Sequence, residues 1–270
     1  MIRTLKEYYG KTEAFKKANF TYTRTMAISF VVPGADCLAS EELRELKKLF
    51  KKFDKKQLAD EPLPAKQLEK NFWIVKPENE NRGRGIELAT SFKELVATLM
   101  RKQGDAFIVQ KYIERPLLYQ GRKFDIRVLA VIDNDRNFYL YKPCYLRTSS
   151  DAYTLDSQSK YIHLTNNCFQ MHSDNYQRHE ADNQIPYCAF LEYLDQLGTE
   201  YADLDKDHIM QRMKDIMIDC HLAAAGNLDL RKRPGYKLEI VGFDFLLDED
   251  LRVWLLEVNT CPYMGPVLTD

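Results

Sequence analysis

The stretch KLEIVGFDFLLDEDLRVWLLEVNTCP, residues 237–262, reads as two apolar strands joined by the acidic turn Asp248-Glu249-Asp250. Asp244 lies inside the first strand, and Glu257 and Asn259 lie at the end of the second. Carboxylates buried in apolar strands are costly without a partner, so they need an explanation. Two carboxylates and an amide are the hard oxygen donors that Mg²⁺ prefers, alongside nucleotide phosphates. Side chains alternate along a strand, so Glu257 and Asn259 share a face. Setting Asp248 opposite Leu251 leaves the two-residue turn Glu249-Asp250. It puts Leu255 opposite Asp244, with Glu257 as the diagonal neighbour on the same face. A three-residue loop would send Asp244 to the other face. The metal reading therefore predicts an even-length loop or a compensating bulge. A hairpin with its carboxylates at a wet edge is the alternative.

The rest of the chain bounds the function class. Its 270 residues are 45% hydrophobic and 29% charged, enough for a large core or two smaller ones. With 39 basic and 40 acidic residues there is no global field pointing to nucleic acid, so an acidic partner must be met by local clusters. Cys37, Cys144, Cys168, Cys188, Cys220 and Cys261 form no C-x-x-C pair, which argues against a zinc ribbon and fits reduced cytosolic thiols. The apolar run Met26–Val32 is too short to span a membrane. No histidine pair has zinc-ligand spacing.

Residues 1–70 are lysine-rich and mixed. Ser40 caps a predicted helix to about Lys56, with Leu43, Leu46, Leu49, Phe50 and Phe53 as its apolar face. Its lysines read as a solvated face. Ala59–Lys66 reads as a connector. Strands are predicted at Phe72–Val75, Ile86–Leu88 and Phe107–Tyr112, and a Ser91-capped helix runs to about Lys102. Phe124–Ile132 and Phe138–Tyr145 form a predicted strand pair around the turn Asn134-Asp135-Arg136. Pro186–Ala225 is mainly helical. Strands and helices mix without regular βαβ alternation, so the class is α+β.

Three further constellations carry polar chemistry. Trp73-Ile74-Val75-Lys76-Pro77 followed by Asn81-Arg82-Gly83-Arg84-Gly85-Ile86 delivers a lysine and then a loop of glycines and arginines, suited to phosphates. It lacks G-K-[ST], so it is not a Walker A loop, and such basic turns are also common on surfaces. Val109 to Pro116 is a buried strand ending in Gln110, Lys111 and Tyr112. It suits an adenine slot, or equally an edge strand protected by lysine and proline. In Gly121 to Arg127, Lys123, Asp125 and Arg127 alternate with apolar residues and share one strand face, either a polar cleft or a solvated surface. Arg147 follows the next strand and extends this cationic wall.

Together these blocks resemble the tubulin–tyrosine ligase family of ATP-grasp enzymes. The matching segments are WIVKP with NRGRGI, VQKYIERPLL, RKFDIR, YLYKPCYLRTSS, HLTNNCFQ and GFDFLLDEDLRVWLLEVN, in the family's order over roughly residues 72–264. The resemblance implies mixed and antiparallel sheets flanked by helices, with the nucleotide between two subdomains. It implies an N-terminal segment 1–70 (a partial or shortened family domain), a central subdomain 71–115 and a C-terminal subdomain 116–270 carrying the Mg²⁺-binding hairpin 238–259. Lys76, Arg84 and Lys123 would contact ATP phosphates, and Gln110, Lys111, Tyr112 and Ile113 would hold the adenine. Asp125 would face the nucleotide's ribose or phosphate side. Asp244, Glu257 and Asn259 would hold Mg²⁺. Arg127 and Arg147 would meet the substrate carboxylates, and Thr165 and Asn166 would lie beside the γ-phosphate and acceptor. Arg127, Arg147, Glu257 and Asn259 form the implied catalytic set.

The implied reaction activates a carboxylate of the tubulin C-terminal tail as an acyl phosphate and joins it to a free amino acid. Tyrosine is slightly favoured and glutamate is a close second; a polyglutamylase or glycylase is the alternative. A catalytically weakened microtubule-binding module and a small-metabolite ligase are further alternatives. The implied protein is a cytoplasmic, cytoskeleton-associated monomer, the cilium or flagellum included, with no nucleic-acid or membrane partner. Neither Lys6 nor Lys11 matches a further phosphate-contacting lysine of the family, and the chain stops at Asp270 where the family continues into a closing helix. Both departures imply a fragment or a truncated copy.

Overall fold

The computed structural model describes residues 1–11, 23, 25–34, 37–55, 70–80, 83–102, 106–198, 206–226 and 235–263. Along the chain the elements are α1 (Ile2–Lys11), β1 (Ser29–Pro33), α2 (Glu41–Asp54), β2 (Trp73–Pro77), β3 (Glu87–Ala89), α3 (Phe92–Arg101) and β4 (Ala106–Lys111). There follow β5 (Leu118–Tyr119), β6 (Arg122–Asp133), β7 (Phe138–Leu140), β8 (Tyr145–Ala152), α4 (Lys160–His163), α5 (Asn167–Gln170), β9 (Gln184–Pro186), α6 (Tyr187–Gln196), α7 (Lys206–Ala224), β10 (Leu238–Leu247) and β11 (Val253–Thr260). They fall into two compact units, Met26–Arg115 with Ile2, and Arg3–Thr25 with Pro116–Asp270 and Met1. Every recorded strand pairing is antiparallel, and the class is α+β as expected. No described helix is long and apolar enough to cross a membrane.

The smaller unit is a four-stranded sheet in the order β1-β4-β2-β3. Helix α2 starts where the sequence places it, with the Ser40 hydroxyl accepting from the Leu43 N–H at 3.2 Å. All five expected apolar residues, Leu43, Leu46, Leu49, Phe50 and Phe53, are buried. Phe50 stacks on Trp73 of β2 with ring centroids 5.2 Å apart, and Phe53 meets the same indole edge-on at 5.9 Å. The helix therefore covers the sheet face that carries Trp73 and its pairing partner Lys111. In α3, Ser91 caps Glu94 N–H at 3.2 Å, as predicted, and the Glu94 carboxylate reaches back to Thr90 N–H at 2.8 Å. Strand β1, grown from the apolar run Met26–Val32, completes the sheet and has no counterpart among the predicted strands. The connector Ala59–Lys66 lies outside the described residues.

The larger unit is a seven-stranded sheet, β11-β10-β6-β8-β9, with β5 and β7 also paired to β6. The strand expected over Phe138–Tyr145 is divided in two. Pro143 lacks a donor and disfavours continued pairing, so β7 stops at Leu140 and β8 begins at Tyr145. Arg147 consequently lies inside a strand rather than after one. The turn at Asn134-Asp135-Arg136 forms as expected, with the Asp133 carboxylate accepting from Asp135 N–H at 2.8 Å and Asn137 N–H at 2.9 Å. One face of the sheet is apolar and meets the helices: Phe124 lies 5.2 Å from Phe190 of α6, and Phe138 lies 5.2 Å from the His221 ring of α7. Helix α1, unforeseen in the sequence, belongs here through Tyr9, whose hydroxyl donates to Asp219 at 2.7 Å and lies 3.0 Å from Thr25 Oγ1. The Thr25 carbonyl in turn accepts from Leu255 N–H of β11 at 2.8 Å.

The terminal hairpin corrects the two-residue turn. Asp248 N–H donates to the Arg252 carbonyl at 3.1 Å and Leu251 N–H to the Asp248 carbonyl at 2.9 Å, with Leu251 in the left-handed region at φ 58°. This is a three-residue loop closed by a left-handed residue. It alone would put Asp244 and Glu257 on opposite faces. A bulge restores them: Phe245 pairs with Leu255, but Asp244 pairs with Glu257, leaving Leu256 as the extra residue. The compensating bulge, not the even loop, aligns the two carboxylates. The loop is built on the fully buried Asp248, whose carboxylate accepts from Asp250 N–H at 3.1 Å, Arg252 N–H at 2.9 Å and the Trp254 indole at 2.8 Å. Asp248→Ala strands three donors in the interior and is expected to lower the unfolding free energy by about 2–4 kcal/mol in urea titrations, with Asp248→Asn milder.

Candidate active site on the polar face of the large sheet

The face opposite α6 and α7 is polar. Registers place Glu257, Asp244, Arg127 and Tyr145 in one row across β11, β10, β6 and β8. Asp125 pairs with Arg147 two residues along β6, and Asn259 pairs with Gly242 two residues along β10. Period-two alternation therefore puts Lys123, Asp125, Arg127, Arg147, Asp244, Glu257 and Asn259 on one face. This face is not a solvated surface: Asp125 is 0%, Asp244 1%, Arg127 6% and Arg147 8% exposed.

Charge governs how these groups sit. Arg127 grips Asp244 with two donors, Nε on Oδ1 and Nη2 on Oδ2 at 3.0 Å. Arg147 grips Asp125, with Nε at 3.0 Å from Oδ2, and its Nη2 also reaches Asp244 at 2.7 Å. Two guanidiniums thus neutralise two buried carboxylates. Burial by itself would raise the Asp244 pKa, but Arg147 and Arg127 together hold it well below the usual carboxylate range. Burial raises the Asp125 pKa and the neighbouring Asp244 charge adds to the rise, against the opposing pull of Arg147 and the Thr165 hydroxyl.

The other larger-unit candidates adjoin this cluster. The Lys123 ammonium donates to the His163 carbonyl at 2.9 Å, and the Thr165 hydroxyl bonds the Asp125 carboxylate. Asn166 is turned to its own backbone, capping α5 by accepting from Cys168 N–H at 3.1 Å. His163 is buried, its Nε2 lying 2.7 Å from the Ser157 carbonyl; burial and the nearby Lys123 charge push its pKa down to about 4.

In the smaller unit, Lys76 and Gln110 lie on the sheet face away from α2, with Lys76 Nζ donating to Gln110 Oε1 at 3.0 Å and Gln110 Nε2 to Ser29 Oγ at 3.0 Å. Lys111 does not join them. Alternation turns it into the core beneath α2, where its ammonium pairs with Glu114, lies 5.2 Å from the Phe53 ring centroid and has its pKa lowered by burial to about 8. Its side chain is therefore directed away from the face that carries Gln110. Tyr112 and Ile113 are buried at the strand end, and Tyr112 N–H donates to the Phe72 carbonyl at 3.0 Å. Arg84 is exposed between Gly83 and Gly85, whose φ values of 73° and 65° show that the loop needs both glycines for its own turn. Asn81 and Arg82 lie outside the described residues.

Asp244, Glu257 and Asn259 fit a hard divalent cation in composition and placement. The Asn259 amide nitrogen lies 3.2 Å from Asp244 Oδ2 and 3.0 Å from Glu257 Oε1, so it marks the point where the two carboxylates converge. Two carboxylates with an amide oxygen available by rotation suit Mg²⁺. Among the described residues no group of three or more His, Cys, Asp or Glu side chains could hold a metal, so the asparagine is the third protein donor of this set.

One residue of the site escaped sequence reasoning. At Gly242 a Cβ would fall 2.9 Å from Pro262 Cβ and 3.4 Å from Arg127 Cδ. The glycine gives the Arg127 stem room to lie across β10, and an isolated glycine inside an apolar strand was the available signal. Gly242→Ala is expected to lower stability by about 1–3 kcal/mol in thermal or urea unfolding. His163 adds a pH dependence. The unfolded imidazole titrates near 6.5 and the folded one near 4, so the unfolded chain binds the extra proton in that window. Stability is full above pH 6.5 and falls as pH drops towards 4, by about 2–3 kcal/mol from this group. Urea unfolding at pH 7 and 4.5 measures it, and His163→Gln should flatten the slope.

The chain is 37% identical over 202 residues to tubulin glycylase 3A of Drosophila melanogaster, covering 72% of this chain and 20% of that protein. It is 34% identical over 209 residues to human tubulin monoglycylase TTLL3, covering 73% and 26%. It is 31% identical over 273 residues to tubulin glycylase 3E of Tetrahymena thermophila, covering 96% and 18%. The chain thus spans about a fifth to a quarter of the length of these curated relatives. The sequence profile of the Tubulin-tyrosine ligase family matches residues 10–268, and the chain belongs to that family.

Proposed function

We propose that this chain carries the catalytic region of an ATP-dependent tubulin–glycine ligase. The observation that carries the proposal is the gathering of buried Arg127, Arg147 and Asp244 with the half-buried Glu257 and Asn259 on one sheet face. Sequence blocks alone favoured tyrosine, then glutamate; the relatives are named glycylases, and their names back the glycine alternative better. Free glycine is then the amine donor and a carboxylate of the tubulin tail the acceptor, which associates the protein with the cytoskeleton, as a monomer.

The roles follow from charge and position. Lys123, Lys76 and Arg84 supply cations for nucleotide phosphates, with Gln110, Tyr112, Ile113 and the Lys111 backbone reading the adenine. Glu257, Asn259 and Asp244 hold Mg²⁺, which when bound neutralises phosphate charge. Asp125 keeps Arg147 oriented, and Arg147 with Arg127 positions substrate carboxylates. Thr165 and Asn166 contribute hydrogen bonds beside the acceptor. The acceptor carboxylate oxygen takes the γ-phosphoryl group and ADP leaves. The glycine amine then displaces phosphate from the acyl carbon and gives up a proton. Such transfer needs positioning and charge neutralisation rather than a protein nucleophile. That requirement matches a site built of arginines, lysine and carboxylates.

The test is incorporation of labelled glycine, tyrosine and glutamate, one at a time, into tubulin with Mg²⁺ and ATP. Glycine incorporation is expected, with Glu257→Gln lowering it by about 100-fold or more. Incorporation of tyrosine or glutamate instead would replace the donor. No incorporation by either protein, with no thermal stabilisation by nucleotide, would leave a binding module in place of an enzyme.

A further inference from the structure

Both arginines that the proposed reaction needs are already occupied. A guanidinium binds a carboxylate best through two parallel donors. Arg127 spends such a pair, Nε and Nη2, on Asp244. Arg147 spends the same pair on Asp125. Asp125 and Asp244 therefore sit where a substrate carboxylate would bind, and the four charges sum to zero. An incoming carboxylate gains the paired Nε and Nη2 donors of either arginine only by displacing an internal carboxylate.

The two occupied arginines are not equivalent. Arg147 is anchored by Asp125, and its contact with Asp244 at 2.7 Å is additional. Both of the Arg127 carboxylate contacts in the cluster are to Asp244. Asp244 is also one of the three groups that converge on the Asn259 amide. Turning that amide to offer its oxygen to a cation breaks the Asn259 bond to Asp244 and exposes Asp244 Oδ2 to the same cation. A divalent ion there draws the Asp244 lone pairs from Arg127 and adds two positive charges beside it.

We infer that Asp244 is an electrostatic switch that keeps Arg127 closed to substrate carboxylates until a divalent cation arrives with the nucleotide. Arg147, held by Asp125, is the fixed half of the carboxylate clamp, and Arg127 is the half released on demand. The inference rests on the ligase reading above and adds an order of binding: metal–nucleotide first, carboxylate substrate second. By linkage the coupling is reciprocal, so the carboxylate ligand must tighten nucleotide binding by the same factor.

The experiment is calorimetric titration of the full chain with a synthetic glutamate-rich tubulin tail peptide, with and without Mg²⁺ and a non-hydrolysable ATP analogue. In the wild-type protein the nucleotide complex is expected to tighten peptide binding by about 10-fold or more, and the peptide to tighten the nucleotide equally. In Asp244→Asn, peptide binding without nucleotide is expected to approach the tightened wild-type value and to change less than about twofold on nucleotide addition. Should nucleotide bind the wild-type protein while peptide affinity moves less than twofold, the switch is overturned and the ligase reading stands. Should nucleotide fail to bind at all, the ligase reading falls and the switch with it. The wild-type comparison decides the matter even where Asp244→Asn does not fold.

Discussion

Burying two guanidiniums and two carboxylates in the middle of a β-sheet is the constraint around which this molecule is arranged. Each of these ions is costly to remove from water alone, and only close, multiply hydrogen-bonded pairing offsets that cost. Pairing at this level demands exact strand register. Arg127 must lie opposite Asp244, and Asp125 opposite Arg147, or each becomes an isolated buried charge. The long strand β6 supplies the common reference, because it pairs with β10 on one side and β8 on the other. The apolar reverse face, with Phe124, Ile126 and Phe243 buried, pins that register, since a slip of one residue would exchange the charged and hydrophobic faces.

Much of this was legible from residues alone. The α2 face and both serine caps follow from spacing and local hydrogen bonding, which depend on few residues. The alternation of Lys123, Asp125 and Arg127 revealed a shared face, although burial of that face depends on chain far away in sequence. The hairpin illustrates what remained hidden. Leu255-Leu256 is compatible with a regular ladder or with a bulge, because two adjacent leucines carry no sign of which one is extra. The need for a compensating device could be deduced, but its choice is made by the Asp248-centred loop, whose bonds to Arg252 and Trp254 favour three residues over two.

Lys111 shows a different failure. Adjacent polar residues in a strand suggest one binding edge, yet the rule that unites Lys123, Asp125 and Arg127 separates Gln110 from Lys111. The long aliphatic stem of a lysine can cross a core and place its ammonium on a buried carboxylate, here Glu114. Donor choice lies at the same limit. On the proposed ligase reading, groups suited to phosphate and carboxylate say little about which amine is joined.

The division of the chain into units bears on how the protein is made. Residues 26–115 form a contiguous unit, whereas the larger unit combines residues 3–25 with residues 116–270. During synthesis the smaller unit can complete its sheet as soon as β4 emerges from the ribosome. The α1 segment must wait, because Tyr9 finds Asp219, and Thr25 finds Leu255, only when the last strands have been translated. Residues 3–25 are thus synthesised before the smaller unit, yet their native partners are synthesised after it, and the larger unit assembles only once both flanking stretches are available.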